Sequence, residues 1–110
     1  MEKVTRYQQY IQQVLREYVG ERPNDPIETA VSFDTKHNHY QIINIGWIEE
    51  RRIYGPVVHM TIKNNKIWIQ HDGTEAGLAM ELVNLGVPKS DIVLAFQSPY
   101  RRQYGEFAVE

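Results

Sequence analysis

Apolar residues open the chain at steps of three and four: Val4, Tyr7, Ile11, Val14, Leu15 and Tyr18. Gln8, Gln9, Gln12, Gln13 and Glu17 fill most of the remaining positions. That period puts the apolar set on one stripe of a helix and predicts an amphipathic helix over residues 3–20. Gly20 and then Pro23 are stop signals, and residues 23–26, Pro-Asn-Asp-Pro, read as a loop.

The period then changes to two. Four runs, at 27–34, 39–48, 52–63 and 66–72, carry β-branched and aromatic residues in strand-like patterns. Connections this short permit only antiparallel pairing, so the runs form a meander. Asp72-Gly73-Thr74 closes it, with Thr74 as a helix N-cap and Glu75 in the first turn. A second helix is predicted over 75–85, with Leu78, Ala79, Leu82 and Leu85 on one face. It is stopped by Gly86 and Pro88. Residues 92–96, Ile-Val-Leu-Ala-Phe, read as a short buried segment and a candidate further strand, and the remainder is irregular.

Turn chemistry sets the registers. Asn tolerates positive φ, so a two-residue turn at Asn64-Asn65 opposes Lys63 to Lys66, Thr61 to Trp68 and His59 to Gln70. A turn at Glu49-Glu50 opposes Trp47 to Arg52 and Ile45 to Tyr54. Simple alternation then places Ile43, Ile45, Trp47, Tyr54, Val58, Met60, Ile62, Ile67, Ile69 and His71 on one face, taken as the helix-covered core. Tyr40, Ile42, Ile53, Val57, His59, Thr61, Trp68 and Gln70 fall on the other. A four-residue loop after the first strand sends Val31 and Phe33 to that second face, and an odd-numbered loop or bulge sends them to the core.

The second face is too apolar for an ordinary solvated surface. Ile42, Ile53, Val57 and Trp68 are therefore the candidate protein interface, with a second copy as the simplest occupant, a homodimer. The tail residues Tyr100, Tyr104 and Phe107 are the rival cover from within the chain.

Composition narrows the chemistry. The chain has 110 residues, one domain's worth, with 42% hydrophobic and 24% charged residues. It has no cysteine, which removes disulfides, thiolate nucleophiles and Cys-ligated zinc. The formal net charge is −2, so no global basic field draws nucleic acid. The longest apolar runs fall far short of the ~20 residues that span a bilayer, and residues 1–6 lead into no apolar signal region. The expectation is a soluble cytoplasmic domain without membrane contact.

Candidate chemistry is sparse. His37 and His39 flank a loop and are the basis of a metalloprotein or small-enzyme reading, while His59 and His71 fall on opposite faces in the register above. Ser32, Ser90 and Ser98 lack a nucleophile-elbow context, and no spaced Gly-Lys-Ser/Thr phosphate loop is present. No catalytic residue, cofactor site or metal site is assigned. Arg51 and Arg52, and Arg101 and Arg102 between Tyr100 and Tyr104, are candidate partner or nucleic-acid contacts.

One resemblance adds to this. Gly46-Trp47, Arg51-Arg52-Ile53-Tyr54-Gly55, Lys66-Ile67-Trp68-Ile69-Gln70, Asp72-Gly73-Thr74-Glu75, Gly86-Val87-Pro88-Lys89, Asp91-Ile92-Val93-Leu94 and Ser98-Pro99-Tyr100, in that order, resemble the XisI family of cyanobacterial excision controlling factors. The likeness extends over nearly the whole chain. It departs at Asn64-Asn65, where the family pattern has Asp-Gly, and at Gln97, where it has His. The resemblance implies a non-catalytic accessory factor in site-specific excision of a DNA element, acting with a partner, XisH, beside a separate recombinase. The fold expected is α+β: an N-terminal helix, a four-stranded antiparallel meander, a second helix on the same sheet face and a short C-terminal segment.

Overall fold

The computed structural model describes residues 2–21 and 24–110. Pro23, part of the expected stop and loop, lies outside the described residues. The elements are α1 (Glu2–Val19), β1 (Ile27–Asp34), β2 (His39–Ile48), β3 (Arg51–Lys63), β4 (Lys66–Asp72), α2 (Ala79–Asn84), a single 3-10 turn (Lys89–Asp91), β5 (Ile92–Leu94) and α3 (Pro99–Arg102). The strands form one five-stranded sheet in the order β1-β2-β3-β4-β5. The β1 to β4 ladders are antiparallel, and β5 pairs with β4 in parallel. The architecture is α+β as expected, but the sheet is mixed and not a four-stranded meander. The 92–96 segment supplies the added strand after a crossover through α2, long enough to reverse the chain's direction.

The helix stripe folds as its period dictates. Tyr7, Ile11, Val14 and Leu15 are buried against Tyr40, Ile42, Val58, Met60, Ile67 and Ile69 of the sheet and Leu78 and Leu82 of α2. Among the described residues one charged side chain, Asp91, is buried at this core. Asp91 accepts from the Tyr7 hydroxyl and pairs with the Lys3 ammonium at 2.8 Å, which ties both turns of α1's start to the segment before β5. Burial pushes the Asp91 carboxyl up, but the Lys3 and Tyr7 hydrogen bonds outweigh it and hold the group below the ordinary carboxylate value. Burial, and then the Asp91 carboxylate, raise the Tyr7 phenol.

α2 begins at Ala79, four residues later than predicted, and Thr74 is not its cap. Asp72 is the reason. Its carboxylate accepts from the Thr74 and Leu78 backbone N–H groups at 2.9 and 2.8 Å, and from the Thr74 hydroxyl. Thr74 Oγ1 accepts in turn from Gly77 N, and Gly77 takes φ +76°. These side chains close a loop, and the left-handed residue breaks the helix that propensity alone favours. The far end follows expectation. Gly86 at φ +114° receives the chain, its N–H donates to Val83 O at 3.0 Å, and Val87 N donates to Leu82 O at 3.1 Å.

Both hairpin registers hold near their turns. Asn64 and Asn65 both have positive φ, and Lys63 opposes Lys66 and Thr61 opposes Trp68. Trp47 opposes Arg52 and Ile45 opposes Tyr54. Away from the turns each ladder slips by one residue. Val57 is the extra residue between Pro56 and Val58 in β3, and Gln70 is the extra residue in β4, so His59 opposes His71 and not Gln70. A slip of one exchanges the faces of everything beyond it. Tyr40 and Ile42 therefore join Val58 and Met60 in the core with no exposed surface, while Trp47 and Tyr54 are 54% and 68% exposed. Trp47 and Ile69 lie on different faces, against the single-face register that alternation gives. The four-residue loop after β1 opposes Phe33 to Tyr40 and Val31 to Ile42, so those pairs stay together as the turn rule requires but on the helix side.

Candidate interaction surface

One side of the sheet is covered by α1 and α2; the other, helix-free along the β2–β3 hairpin, meets α3 at the β4 edge, where Arg102 lies over Trp68. On the helix-free side, alternation along β2 from the buried Ile42 places Ile43, Ile45 and Trp47 in one row. β1 adds Ala30 and Glu28 as their partners, and β3 adds Pro56, Tyr54 and Arg52. The Arg52 guanidinium lies over both aromatic rings, 5.4 Å from the centre of Trp47 and 5.6 Å from that of Tyr54. The other end of this face is polar. His39 Nδ1 and His59 Nε2 are 3.2 Å apart, and Gln70 donates to Thr61 at 3.2 Å. Burial, then the neighbouring His39, depress the His59 imidazole below its ordinary value. One ring of this pair donates and the other accepts, so full protonation of both breaks the hydrogen bond.

Of the interface residues expected from the sequence, Trp68 alone keeps its face. Ile42 is enclosed in the core. Ile53 opposes Gly46, on the side of Ile27, and Val57 is the bulged residue packed against the core. Trp68 is half-buried under the Lys63 ammonium at 5.2 Å and the Arg102 guanidinium at 5.7 Å, and its indole N–H donates to Lys63 O. The residues that form the exposed apolar row are those alternation assigned to the core. A proline inside a central strand was the available signal: it cannot donate to the ladder and marks a bulge.

The two arginine pairs do not meet. Arg51 and Arg52 sit at the β2–β3 turn, whereas Arg102 reaches Trp68, which opposes Thr61 nine positions along β3, about 30 Å away. Arg102 is also committed within the chain, donating to the carbonyls of Gln97, Ala95 and Val109 at 3.0, 3.3 and 3.2 Å. Together with Ala108 N on Ile92 O at 2.8 Å, it straps the C-terminal tail along β5. Arg101 is exposed, as are Tyr100 and Tyr104, whose rings meet edge-on with centres 5.4 Å apart. Among the described residues no group of three or more His, Asp or Glu side chains is placed to hold a metal ion, and no helix is long and apolar enough to cross a membrane. His37 pairs with Asp34 at 2.8 Å, apart from the His39–His59 pair.

These features define a small α+β protein whose distinctive surface is a bare apolar sheet face. The chain belongs to the XisI family: the family model described as XisI protein matches residues 1–109. A solved XisI-like protein from Anabaena variabilis is 42% identical, with a TM-score of 0.91 over 97% of this chain and 99% of that one. The fdxN element excision controlling factor XisI from the same organism is 29% identical, with a TM-score of 0.85 over 98% of this chain and 99% of that one. Among curated proteins nothing matches.

Proposed function

We propose that this chain is a non-catalytic, cytoplasmic accessory factor that controls site-specific excision of a DNA element, together with an XisH-like partner and a separate recombinase that carries the strand chemistry. The observation that carries the reading is near-full-length likeness to a protein named as an excision controlling factor. An accessory role needs a surface for partners and no nucleophile, and the chain's exposed Trp47, Tyr54, Tyr100 and Tyr104 suit protein contact. Direct DNA binding by both arginine pairs as one basic face loses support, since Arg102 holds the tail and lies about 30 Å from Arg52.

Co-expression with the XisH-like protein of the same genome tests the reading. The pair is expected to co-purify through size exclusion at a fixed ratio. Separate elution of two folded proteins contradicts it. Retention of this chain alone on a DNA column, with a steep salt dependence, favours the nucleic-acid reading instead.

A further inference from the structure

We infer that the helix-free face of the β2–β3 hairpin is a contact between two copies of this chain, packed face to face about a two-fold axis parallel to β2. This rests on the geometry and does not depend on the role in excision.

Among the described residues the chain covers this face at the β4 edge, where Arg102 and Lys63 lie over Trp68, and leaves Trp47 and Tyr54 more than half exposed. α1 and α2 lie on the other side of the sheet, and the tail that could have folded across is strapped to β5 by Arg102 and Ala108. Trp47 and Tyr54 remain more than half exposed beside Ile43 and Ile45. A contiguous row of this kind marks a protein contact.

Charge selects the occupant. Across β2 the face carries opposite signs: Glu28 on β1 beside Ile45, and Arg52 on β3 beside Trp47. Among the described residues neither has an ion-pair partner within the chain. A two-fold axis along β2 exchanges the β1 and β3 columns, so each Glu28 faces the other copy's Arg52 column. The offset is two residues along the strand, about 7 Å, within reach of an arginine side chain. The contact is made twice by symmetry. A two-fold axis across the strands at Ile45 sets Glu28 against Glu28 and is disfavoured. A second copy thus supplies both the apolar row and the complementary charges.

Sedimentation velocity of the full chain over a wide concentration range tests this. The unmodified protein is expected at twice the monomer mass. Trp47→Glu is expected to sediment as a monomer with an unchanged circular-dichroism spectrum, and Tyr54→Ser, at a still more exposed position, guards against misfolding of the first. Glu28→Arg and Arg52→Glu alone should each raise the dissociation constant about tenfold or more, and the double reversal should restore it to within a few-fold. A monomer at every concentration, or a dimer indifferent to Trp47→Glu and Tyr54→Ser, overturns the proposal. A double reversal no tighter than either single one overturns the axis.

Discussion

Ile42 and Ile43 are neighbours on β2, yet they live in different halves of the molecule. Ile42 belongs to the helix-covered half, where α1 and α2 close over the sheet and leave it no exposed surface. Ile43 belongs to the face that carries the exposed Trp47 and Tyr54, and is itself half-buried. Successive residues of β2 alternate between the two faces; the extra residue Val57 in β3 is what lets Tyr54 and Val58, an even number of residues apart, fall on opposite faces. A core and a contact surface can thus be cut from one apolar hairpin by a bulge, which re-aims side chains without changing their identity.

The largest expected effect sets those neighbours against each other. Ile42→Ala should cost about 2–5 kcal/mol in urea unfolding, since the cavity sits in a filled core. Ile43→Ala should cost about 1 kcal/mol, in proportion to its partial burial. Equal costs would break the division of faces.

The helix-covered half also holds a buried polar tie, between Tyr7, Asp91 and Lys3. Asp91→Ala should cost about 1–3 kcal/mol, because the Tyr7 hydroxyl loses its acceptor inside the core. The sign with pH follows from the depressed carboxyl. Its contribution is full above the unfolded aspartate value of about 3.9 and is lost as pH falls through the lower folded value. The gap in urea midpoint between the unmodified protein and Asp91→Asn should therefore close on acidification below that range. A gap that persists there removes the ion pair from the account.

Glycines sharpen the contrast at smaller scale. Gly86 takes φ +114° at the end of α2, so Gly86→Ala should cost about 1–3 kcal/mol of thermal stability through strain. Gly55 opposes Asn44 on the other side of the hairpin from Tyr54, and a Cβ there meets nothing within 4 Å, so Gly55→Ala should change stability by less than about 0.5 kcal/mol. Smallest of all, Trp47→Glu should alter the unfolding of dilute monomer by under about 0.5 kcal/mol.

Much of this fold was legible in the sequence. The α1 stripe, all four antiparallel strands and both turn registers follow from period and turn chemistry, because those are local properties. The two bulges were not, since alternation assumes that no residue is skipped; only Pro56 hinted at one. The late start of α2 was hidden because Asp72 and Thr74 suit a cap and a side-chain-closed loop equally, and Gly77 decided between them. The second apolar face expected from alternation held Ile42, Ile53, Val57 and Trp68; the structure puts the first three on the helix side, and Ile43, Ile45, Trp47 and Tyr54, expected in the core, on the other. Arg102 reads as a surface charge in sequence and proves to be the tail's anchor, a role set by carbonyls distant from it in pattern.

The proposed role in control of excision makes a prediction about cells that lack this chain. Genome sequencing of cells lacking this chain, with the recombinase gene intact, reads excision junctions directly and needs no prior choice of element. The expected result is loss of one junction, restored when the unmodified chain is supplied again. Junction reads at the same frequency with and without the chain would contradict the account.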